Sequence, residues 1–302
     1  MSGYLHPGIF YCTGNKVTGY SENPGDKGEK TMSIKHEAAK LNTGMRSVVP
    51  LVHNMTNYVT VNDCANALLA IGGSPIMADD ILEAADITAI SSALVINIGT
   101  LNQRTVEAML SAGKKANELG IPVVFDPVGA GASAFRNETT RRILDEVKIT
   151  ILRGNLSEVS YVAGLSASTK GVDASEADLD KDVQAVAKSA AEKLCCTVAV
   201  TGAVDVITDG RRVAEISNGH PMLSKVTGTG CMTSAITGGY AGMGQDAFTA
   251  AAAGVMSMGI AGEIAYEKAG NVGTGSFHVA LIDALSGLDE QMIEEMGKIE
   301  EA

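Results

Sequence analysis

The sequence predicts an α/β fold in which helices cover a mostly parallel sheet. The first observation is an alternation: after roughly the first thirty residues, helix-like segments alternate with short apolar runs that end in small or polar residues. The second is that four of these runs resemble buried strands, namely Leu94–Ile98, Val123–Phe125, Ile149–Leu152 and Thr197–Val200. No linker or internal repeat divides the chain after residue 40, so we expect one domain.

The composition is that of a globular protein that binds neither nucleic acid nor a membrane. The 302 residues are 45% hydrophobic and 19% charged, which leaves ample chain for a core. With 23 Lys and Arg against 35 Asp and Glu, the net charge is −12, so the protein repels a phosphate backbone. Two uncharged stretches, 226–245 and 247–262, are rich in Gly, Ala, Ser and Thr, which predicts packed core helices.

The N-terminal region and the cysteines favour a cytoplasmic protein. The longest early apolar stretch, Ile9–Cys12, is far shorter than the roughly 7–15 residues of a secretory signal. The five cysteines form no CxxC pair, and the adjacent Cys195 and Cys196 are poorly placed for a disulfide or a metal knuckle. Residues 1–33 lack periodicity, so we expect a disordered extension, or an upstream start before Met32, followed by a domain over 34–302.

Several other elements follow in chain order. The pattern predicts helices over Arg104–Leu119, with Gly120 as C-cap, over Asp182–Leu194 and over Met232–Ala241. Between the last two, residues 205–208 and 211–216 flank Asp209-Gly210, which predicts an antiparallel edge hairpin with a two-residue turn. The acidic end, Leu285–Ala302, has the pattern of a solvated amphipathic helix or of a partner-binding tail.

Polar or glycine residues follow each of the four predicted strands. They are Gly99-Thr100, Asp126-Pro127, Arg153-Gly154-Asn155 and Thr201-Gly202. In open α/β sheets, ligands bind beyond the carboxyl ends of the strands, so these positions predict one shared site.

A glycine turn, Thr227-Gly228-Thr229-Gly230-Cys231, precedes the predicted helix Met232–Ala241. Such a turn can direct backbone N–H groups at an anion, although it also serves close packing. Cys231 falls in the first helical turn, where we expect a lowered thiol pKa and a role as nucleophile or base. The alternative is an inert buried cysteine.

Two carboxylates at strand ends could share a hydrated Mg²⁺ ion. Asp126 ends one strand, and Glu158 falls in the first turn after another. Glu158 could instead form a capping box with Asn155. Arg153 offers a planar fork to phosphate oxygens, with a surface ion pair as the alternative. The chain has no HExxH array or P-loop, and Gly129-Ala130-Gly131 lacks the rest of a dinucleotide fingerprint.

Several long and specific motifs lie between about Leu51 and Leu285. They are Pro50–His53, Thr56-Asn57, Ala70–Met77, Asn97–Leu101, Asp126–Gly131, Arg153–Asn155, Lys170–Asp173 and Val226–Cys231. In these motifs the chain resembles the hydroxyethylthiazole kinases of the ribokinase-like superfamily. It implies a three-layer α/β/α fold and ATP-dependent phosphorylation of the hydroxyl of 4-methyl-5-(2-hydroxyethyl)thiazole in thiamine salvage. It also implies a homotrimer with sites between subunits.

The resemblance also implies roles for single residues. The thiazole pocket is expected around Asn57, Met77 and Gly99, with Gly228 and Cys231 near the reacting hydroxyl. ATP is expected at Arg153 and Thr201, with the amides of Gly228, Thr229 and Gly230 at the γ-phosphate, and Mg²⁺ at Asp126 and Glu158. Related sugar kinases usually carry an aspartate base where this chain has Cys231.

Two departures from the family pattern affect the predicted pocket. Asn54 lies where the family usually has Cys or Ser, and Gly73 replaces a common Ala. Three other functions stay open at this point: a hydroxymethylpyrimidine or pyridoxal kinase of the same fold, a non-catalytic binding module, and acyl transfer by Cys231 with His53 or His220 as its partner.

Overall fold

The structure is a computed structural model that describes residues 33–165 and 176–301, without the side chains of 176–182. The predicted extension over residues 1–33 lies outside the described residues, apart from Ser33, which caps the first helix. The Lys170–Asp173 motif also lies outside them. The division of the chain at residue 33 therefore stays a prediction.

The strands of the described residues form one sheet in the order β2-β1-β3-β4-β5-β6-β7-β8-β9. Pairing is parallel from β2 to β6 and antiparallel from β6 to β9. The predicted class, a mostly parallel sheet with an antiparallel edge hairpin, is confirmed. The strands are β1 (Leu51–Met55), β2 (Ser74–Ile76), β3 (Ala93–Asn97), β4 (Val123–Asp126), β5 (Ile151–Asn155), β6 (Thr197–Thr201), β7 (Asp205–Thr208), β8 (Val213–Ile216) and β9 (Ile299–Glu301).

Helices cover both faces of the sheet. They are α1 (Ile34–Val48), α2 (Val61–Ala70), α3 (Ala84–Ala89), α4 (Gln103–Leu119), α5 (Ala134–Glu146), α6 (Leu156–Ala163), α7 (Glu176–Leu194), α8 (Thr229–Ala241), α9 (Ala247–Ala269), α10 (Thr274–Gly287) and α11 (Glu290–Met296), with a 3₁₀ turn at Pro221–Lys225. Side chains of β3 alternate between two cores: Val95 packs with α1, α2 and α8–α11, whereas Leu94 and Ile96 pack with α3–α7. The three-layer prediction is therefore confirmed.

The two uncharged stretches form buried helices, as predicted. Both α8 and α9 are buried on nearly all sides, and glycine lets them approach their neighbours closely. A Cβ atom at Gly238 would collide with Val95, and one at Gly254 would collide with Thr237. Among the described helices, α9 alone is long and apolar enough to span a membrane, and 83% of its most apolar window is buried inside the protein. It is a core helix.

The structure corrects several predicted boundaries. The predicted strand Ile149–Leu152 begins at Ile151 and continues to Asn155, so Arg153 belongs to β5 itself. The hairpin has a four-residue turn, because Thr208 pairs with Val213. The Asp209 carboxylate accepts hydrogen bonds from the N–H groups of Arg211 and Arg212, which stabilises the longer turn.

The prediction of one amphipathic helix over Leu285–Ala302 is wrong. Helix α10 ends at Gly287, and Asp289 caps the separate helix α11 by accepting a hydrogen bond from Met292 N–H. The last described residues then form β9, which pairs with β8. Ile299 is half-buried, whereas Glu300 and Glu301 are exposed, and charged exposed residues suit an edge strand.

Candidate active site

The carboxyl ends of β4 and β5 face the N-terminus of α8 across a cavity of about 250 Å³. Its lining residues are Asp126, Val128, Arg153, Asn155, Glu158, Gly228, Gly230 and Cys231. The structure thus brings together residues from two of the four predicted strand ends with three residues of the glycine turn and with Glu158, whereas the strand ends at Gly99-Thr100 and Thr201-Gly202 do not line this cavity. The parallel order β3-β4-β5-β6 places these strand ends side by side.

Asp126 is fully buried at the floor of this cavity. Its Oδ2 atom accepts hydrogen bonds from Asn97 Nδ2 at 2.8 Å and from Ser234 Oγ at 2.7 Å, and it lies 3.6 Å from Arg153 Nη1. Its Oδ1 atom is buried and has no hydrogen-bond partner among the described residues. Burial raises the pKa of Asp126 to about 6, although the charge of Arg153 opposes this shift.

Arg153 bridges Asp126 and Thr201. Its Nη2 atom donates to Thr201 Oγ1 at 2.7 Å, and its side chain is 13% exposed. The surface ion pair considered above is therefore wrong, because the partner carboxylate is buried. The guanidinium also approaches α8 closely: a Cβ atom at Gly230 would lie 2.7 Å from Arg153 Nη1.

Glu158 forms a complete capping box with Asn155 at the start of α6. Asn155 Oδ1 accepts from Glu158 N–H at 2.9 Å, and Glu158 Oε2 accepts from Asn155 N–H at 2.9 Å. Glu158 Oε1 also accepts from Gly129 N–H at 2.8 Å, which ties the loop after β4 to α6. The capping interpretation holds, and it leaves one further lone pair on each oxygen for a water molecule.

The glycine turn adopts a conformation that only glycine tolerates at one position. Gly228 has φ = +87°, and a Cβ atom there would lie 2.5 Å from Thr60 Cγ2. Helix α8 begins at Thr229, whose hydroxyl donates to Leu223 O at 3.1 Å and so points away from the cavity. The first N–H groups of α8 have no partner within the helix and carry its positive dipole end. The turn therefore suits an anion.

Cys231 lies between two asparagine amides. Its Sγ atom accepts hydrogen bonds from Asn57 Nδ2 and Asn97 Nδ2, each at 3.3 Å. Burial and the nearby charge of Asp126 raise the pKa of the Cys231 thiol. The predicted lowering of this pKa is therefore wrong, because these two effects outweigh the opposing hydrogen bonds from Thr60, Asn97 and Asn57.

The predicted thiazole residues divide between two places. Gly99 lies with Asn57 beside Cys231, since a Cβ atom at Gly99 would lie 2.6 Å from Asn57 Nδ2. Met77 instead lines a second cavity of about 180 Å³, together with Asn54 and Tyr58. Asn54 is buried, and its Oδ1 atom has no hydrogen-bond partner within the described part of the chain. Gly73 lies away from Met77, packed against Leu68.

The two histidines named for acyl transfer are occupied elsewhere. His53 is buried, with its ring nitrogens 2.8 Å from Thr88 Oγ1 and 2.7 Å from Ala78 O. His220 stacks on Tyr266 with their ring centroids 3.5 Å apart. Neither ring contacts Cys231, so the geometry does not support a cysteine–histidine pair.

Comparisons with known proteins identify the family. The family model "Hydroxyethylthiazole kinase family" matches residues 43–291. The chain is 67% identical to a hydroxyethylthiazole kinase of Ruminiclostridium cellulolyticum over 88% of this chain and 97% of that protein. It is 66% identical to the enzyme of Clostridium beijerinckii over 85% and 94% of the two chains. The chain belongs to the hydroxyethylthiazole kinase family. It is therefore a phosphotransferase, which sets aside the non-catalytic binding module.

Solved structures support the same family and fold. A hydroxyethylthiazole kinase protein from Pyrococcus horikoshii OT3 matches with a TM-score of 0.81 at 40% identity, covering 88% of this chain and 99% of that one. A pyridoxal kinase of Bacillus subtilis matches with a TM-score of 0.52 at 17% identity, over 70% and 90% of the chains. This second likeness shows the ribokinase-like fold alone.

Within this kinase-family site, two buried polar residues received no role in the sequence analysis, although Asn97 begins one of the quoted motifs. Asn97 contacts both Asp126 and Cys231, and Ser234 contacts Asp126. Asn97 carried a detectable signal, because it is a polar residue that ends an otherwise apolar strand. Ser234 carried none, because serine three residues after Cys231 in a helix rich in small residues is indistinguishable from packing.

Proposed function

We propose that this chain transfers the γ-phosphoryl group of ATP to the hydroxyl of 4-methyl-5-(2-hydroxyethyl)thiazole, as a step in thiamine salvage. The observation that carries the proposal is the cavity in which a buried Asp126–Arg153 pair faces the N-terminus of α8 and Cys231. Phosphoryl transfer asks mainly for positioning and charge neutralisation, and this cavity offers both.

The phosphate end of the reaction belongs to α8 and Arg153 in this proposal. The N–H groups of Gly228, Thr229 and Gly230 and the helix dipole bind the γ-phosphoryl oxygens. Arg153 supplies a fixed positive charge, oriented by Thr201 and Asp126. Because the guanidinium is already held by two partners, little of its freedom is lost when ATP binds.

The residues present fit a hydrated Mg²⁺ ion. No three His, Cys, Asp or Glu side chains of the described ranges cluster as a complete metal cage. Mg²⁺, however, keeps several waters and needs only one or two carboxylates beside the phosphates. The unpartnered Oδ1 atom of Asp126 suits one contact, and Glu158 suits a water-mediated one because backbone N–H groups occupy both its oxygens. The ion would neutralise phosphate charge.

The acceptor end belongs to Asn57, Gly99 and Cys231, with Met77 against the ring. The thiazole hydroxyl oxygen attacks the γ-phosphorus as ADP leaves, and its proton passes toward Cys231. Only the thiolate form of Cys231 can accept this proton, and the raised pKa leaves most of the thiol protonated at pH 7, so its assistance as a base is modest, about 10–100-fold. A loose transition state needs little activation of the attacking hydroxyl, so modest base assistance is sufficient.

We place the enzyme in the cytoplasm as a homotrimer whose neighbouring subunit completes the site. Exposed apolar side chains support this arrangement: Tyr58, which lines the Met77 cavity, is 79% exposed, and Leu82, three residues after the lining residue Asp79, is 88% exposed. Sedimentation equilibrium tests the assembly, and Leu82→Asp is expected to shift it toward monomers.

A coupled ADP-release assay with ATP, Mg²⁺ and hydroxyethylthiazole tests the activity. Hydroxymethylpyrimidine and pyridoxal serve as competing acceptors, and Arg153→Met protein reports background hydrolysis. Turnover confined to the thiazole supports the proposal. Turnover with another alcohol alone would keep the fold and refute the acceptor pocket at Asn57 and Met77.

A further inference from the structure

The amide of Asn97 lies at the centre of the site and contacts four of its members. Its Nδ2 atom donates to Asp126 Oδ2 at 2.8 Å and to Cys231 Sγ at 3.3 Å. Its Oδ1 atom accepts from Gly99 N–H at 2.8 Å and from Asn57 Nδ2 at 3.2 Å. Asn97 itself is 1% exposed. Both hydrogens and both lone pairs of the amide are therefore used.

The contacts fix which way the amide faces. A backbone N–H group can only donate, so the amide oxygen must face Gly99. The amide nitrogen then faces the Asp126 carboxylate, which suits a donor at the pH of an active enzyme. The end of β3 thus holds a donor at a fixed position between the carboxylate and the thiol.

We propose that Asn97 is the positioning residue that sets the Cys231 thiol in register with the turn at Gly99, with the buried Asp126 carboxylate anchoring the amide. The proposal rests on the phosphotransfer function above and adds a buried residue that does not line the cavity. One amide ties three segments, the ends of β3 and β4 and the first turn of α8, so a small displacement of any one moves the others.

Asn57 completes the arrangement around the sulfur. Its Nδ2 atom donates to Asn97 Oδ1 and to Cys231 Sγ, so the two asparagines and the cysteine form a closed triangle of hydrogen bonds. Removing the Asn97 side chain breaks two of these three hydrogen bonds and leaves only the one from Asn57 Nδ2 to Cys231 Sγ. The thiol then loses its fixed distance from the acceptor hydroxyl.

A kinetic double-mutant cycle tests this role. Asn97→Ala is expected to lower kcat about 10–100-fold, while the KM for ATP changes less than about threefold. In a Cys231→Ala background, Asn97→Ala is expected to lower kcat less than about threefold, because the thiol that Asn97 positions is gone. Asn97→Ser serves as the second variant if Asn97→Ala does not fold. Asn42→Ala, which removes another buried asparagine that bonds Tyr240, is the matched control and leaves kcat unchanged.

The possible outcomes separate the two proposals. If Asn97→Ala lowers kcat much more in the presence of Cys231 than in the Cys231→Ala background, the result supports the role of Asn97. Equal losses with and without Cys231, in folded proteins, overturn it and make Asn97 a structural residue. Wild-type protein without turnover of hydroxyethylthiazole refutes the proposed function instead, and the Asn97 role with it.

Discussion

At the scale of the residue, the chemistry of Cys231 depends on what surrounds the sulfur more than on the helix that carries it. Two amide groups and a helix N-terminus favour the thiolate, but burial and the charge of Asp126 favour the thiol. The net pKa is raised, so at neutral pH little Cys231 is present as the thiolate, the only form that can act as a base. An aspartate at this position would be a better one.

We therefore expect Cys231→Asp to keep or raise kcat. The aspartate carboxylate reaches slightly farther than the thiol and can accept hydrogen bonds from the same two amides, which favour its anionic form. Cys231→Ala is expected to lose about 10–100-fold in kcat because no acceptor for the proton remains. Steady-state ADP release with both folded variants measures the effect. Complete inactivity of Cys231→Asp would contradict the assignment.

Residue-level prediction from sequence succeeded where a single motif determines the neighbours. The spacing of Asn155 and Glu158 offered the capping box as the alternative to a metal role, and the structure confirms that alternative because both partners lie in one helical turn. Prediction from sequence failed for the pKa of Cys231. This pKa depends partly on the charge of Asp126, which is distant in the sequence and lies near the sulfur only in the folded protein. Local pattern carries no information about such a neighbour.

At the scale of the element, the strands that the sequence missed are those with little apolar character. Strand β1 contains His53 and Asn54, which are both buried, and β2 has three residues including Pro75. Their pairing partners stabilise them as strands, and a partner cannot be read from either segment alone. The four apolar central strands were predictable because each is buried on both faces.

The first turn of α8 provides an element-scale prediction. Gly230→Ala would place a Cβ atom 2.7 Å from Arg153 Nη1 and push the guanidinium off Asp126 and Thr201. We expect kcat/KM to fall about 10–100-fold because the charge at the phosphate is misplaced. Gly275→Ala is the matched control: it also follows a threonine at the start of a helix, but its Cβ atom would meet nothing within 4 Å. Comparable losses in both variants would contradict the prediction.

The capping box of α6 provides a second element-scale prediction, because Glu158 has both a structural role and a proposed role in binding Mg²⁺. Glu158→Gln replaces one acceptor oxygen, so we expect a loss of about 1–3 kcal/mol in the free energy of unfolding. If Glu158 also orients a magnesium-bound water, the Mg²⁺ concentration for half-maximal turnover rises about tenfold. Magnesium titration and urea unfolding measure the two effects. Asp289→Ala, which removes the cap of α11, controls for lost stability alone. An unchanged magnesium requirement would leave Glu158 as a cap only.

At the scale of the whole molecule, the site lies where the parallel part of the sheet meets its antiparallel edge. Strand β6 pairs in parallel with β5, which carries Arg153, and antiparallel with β7, which begins at Asp205. Asp205 Oδ1 accepts from Gly202 N–H at 2.8 Å in the connecting turn. Burial raises the pKa of Asp205 to about 6, against the opposing effects of this hydrogen bond and the charge of Arg153.

This raised pKa predicts how the stability of the protein changes with pH. The native state holds the Asp205 proton more tightly than the unfolded chain, whose carboxyl has the ordinary pKa of 3.8. The stability due to this proton is therefore present below about pH 4 and is lost as the pH rises through about 6. Asp205→Asn keeps the acceptor for Gly202 but never ionises. We expect its free energy of unfolding to exceed that of the wild type by roughly 2 kcal/mol near pH 7.5 and to converge with it near pH 4.

Urea unfolding of the two proteins across this pH range measures the difference, and a second aspartate of the same hairpin provides a control of opposite sign. Burial would raise the pKa of Asp209, but hydrogen bonds from Arg212 and Arg211 together lower it. The stability from Asp209 is thus present above its unfolded pKa and is lost as the pH falls, so Asp209→Asn is expected to destabilise the protein at pH 7.5. A difference between Asp205→Asn and wild type that stays constant from pH 4 to 7.5 would show that Asp205 ionises normally in the folded protein.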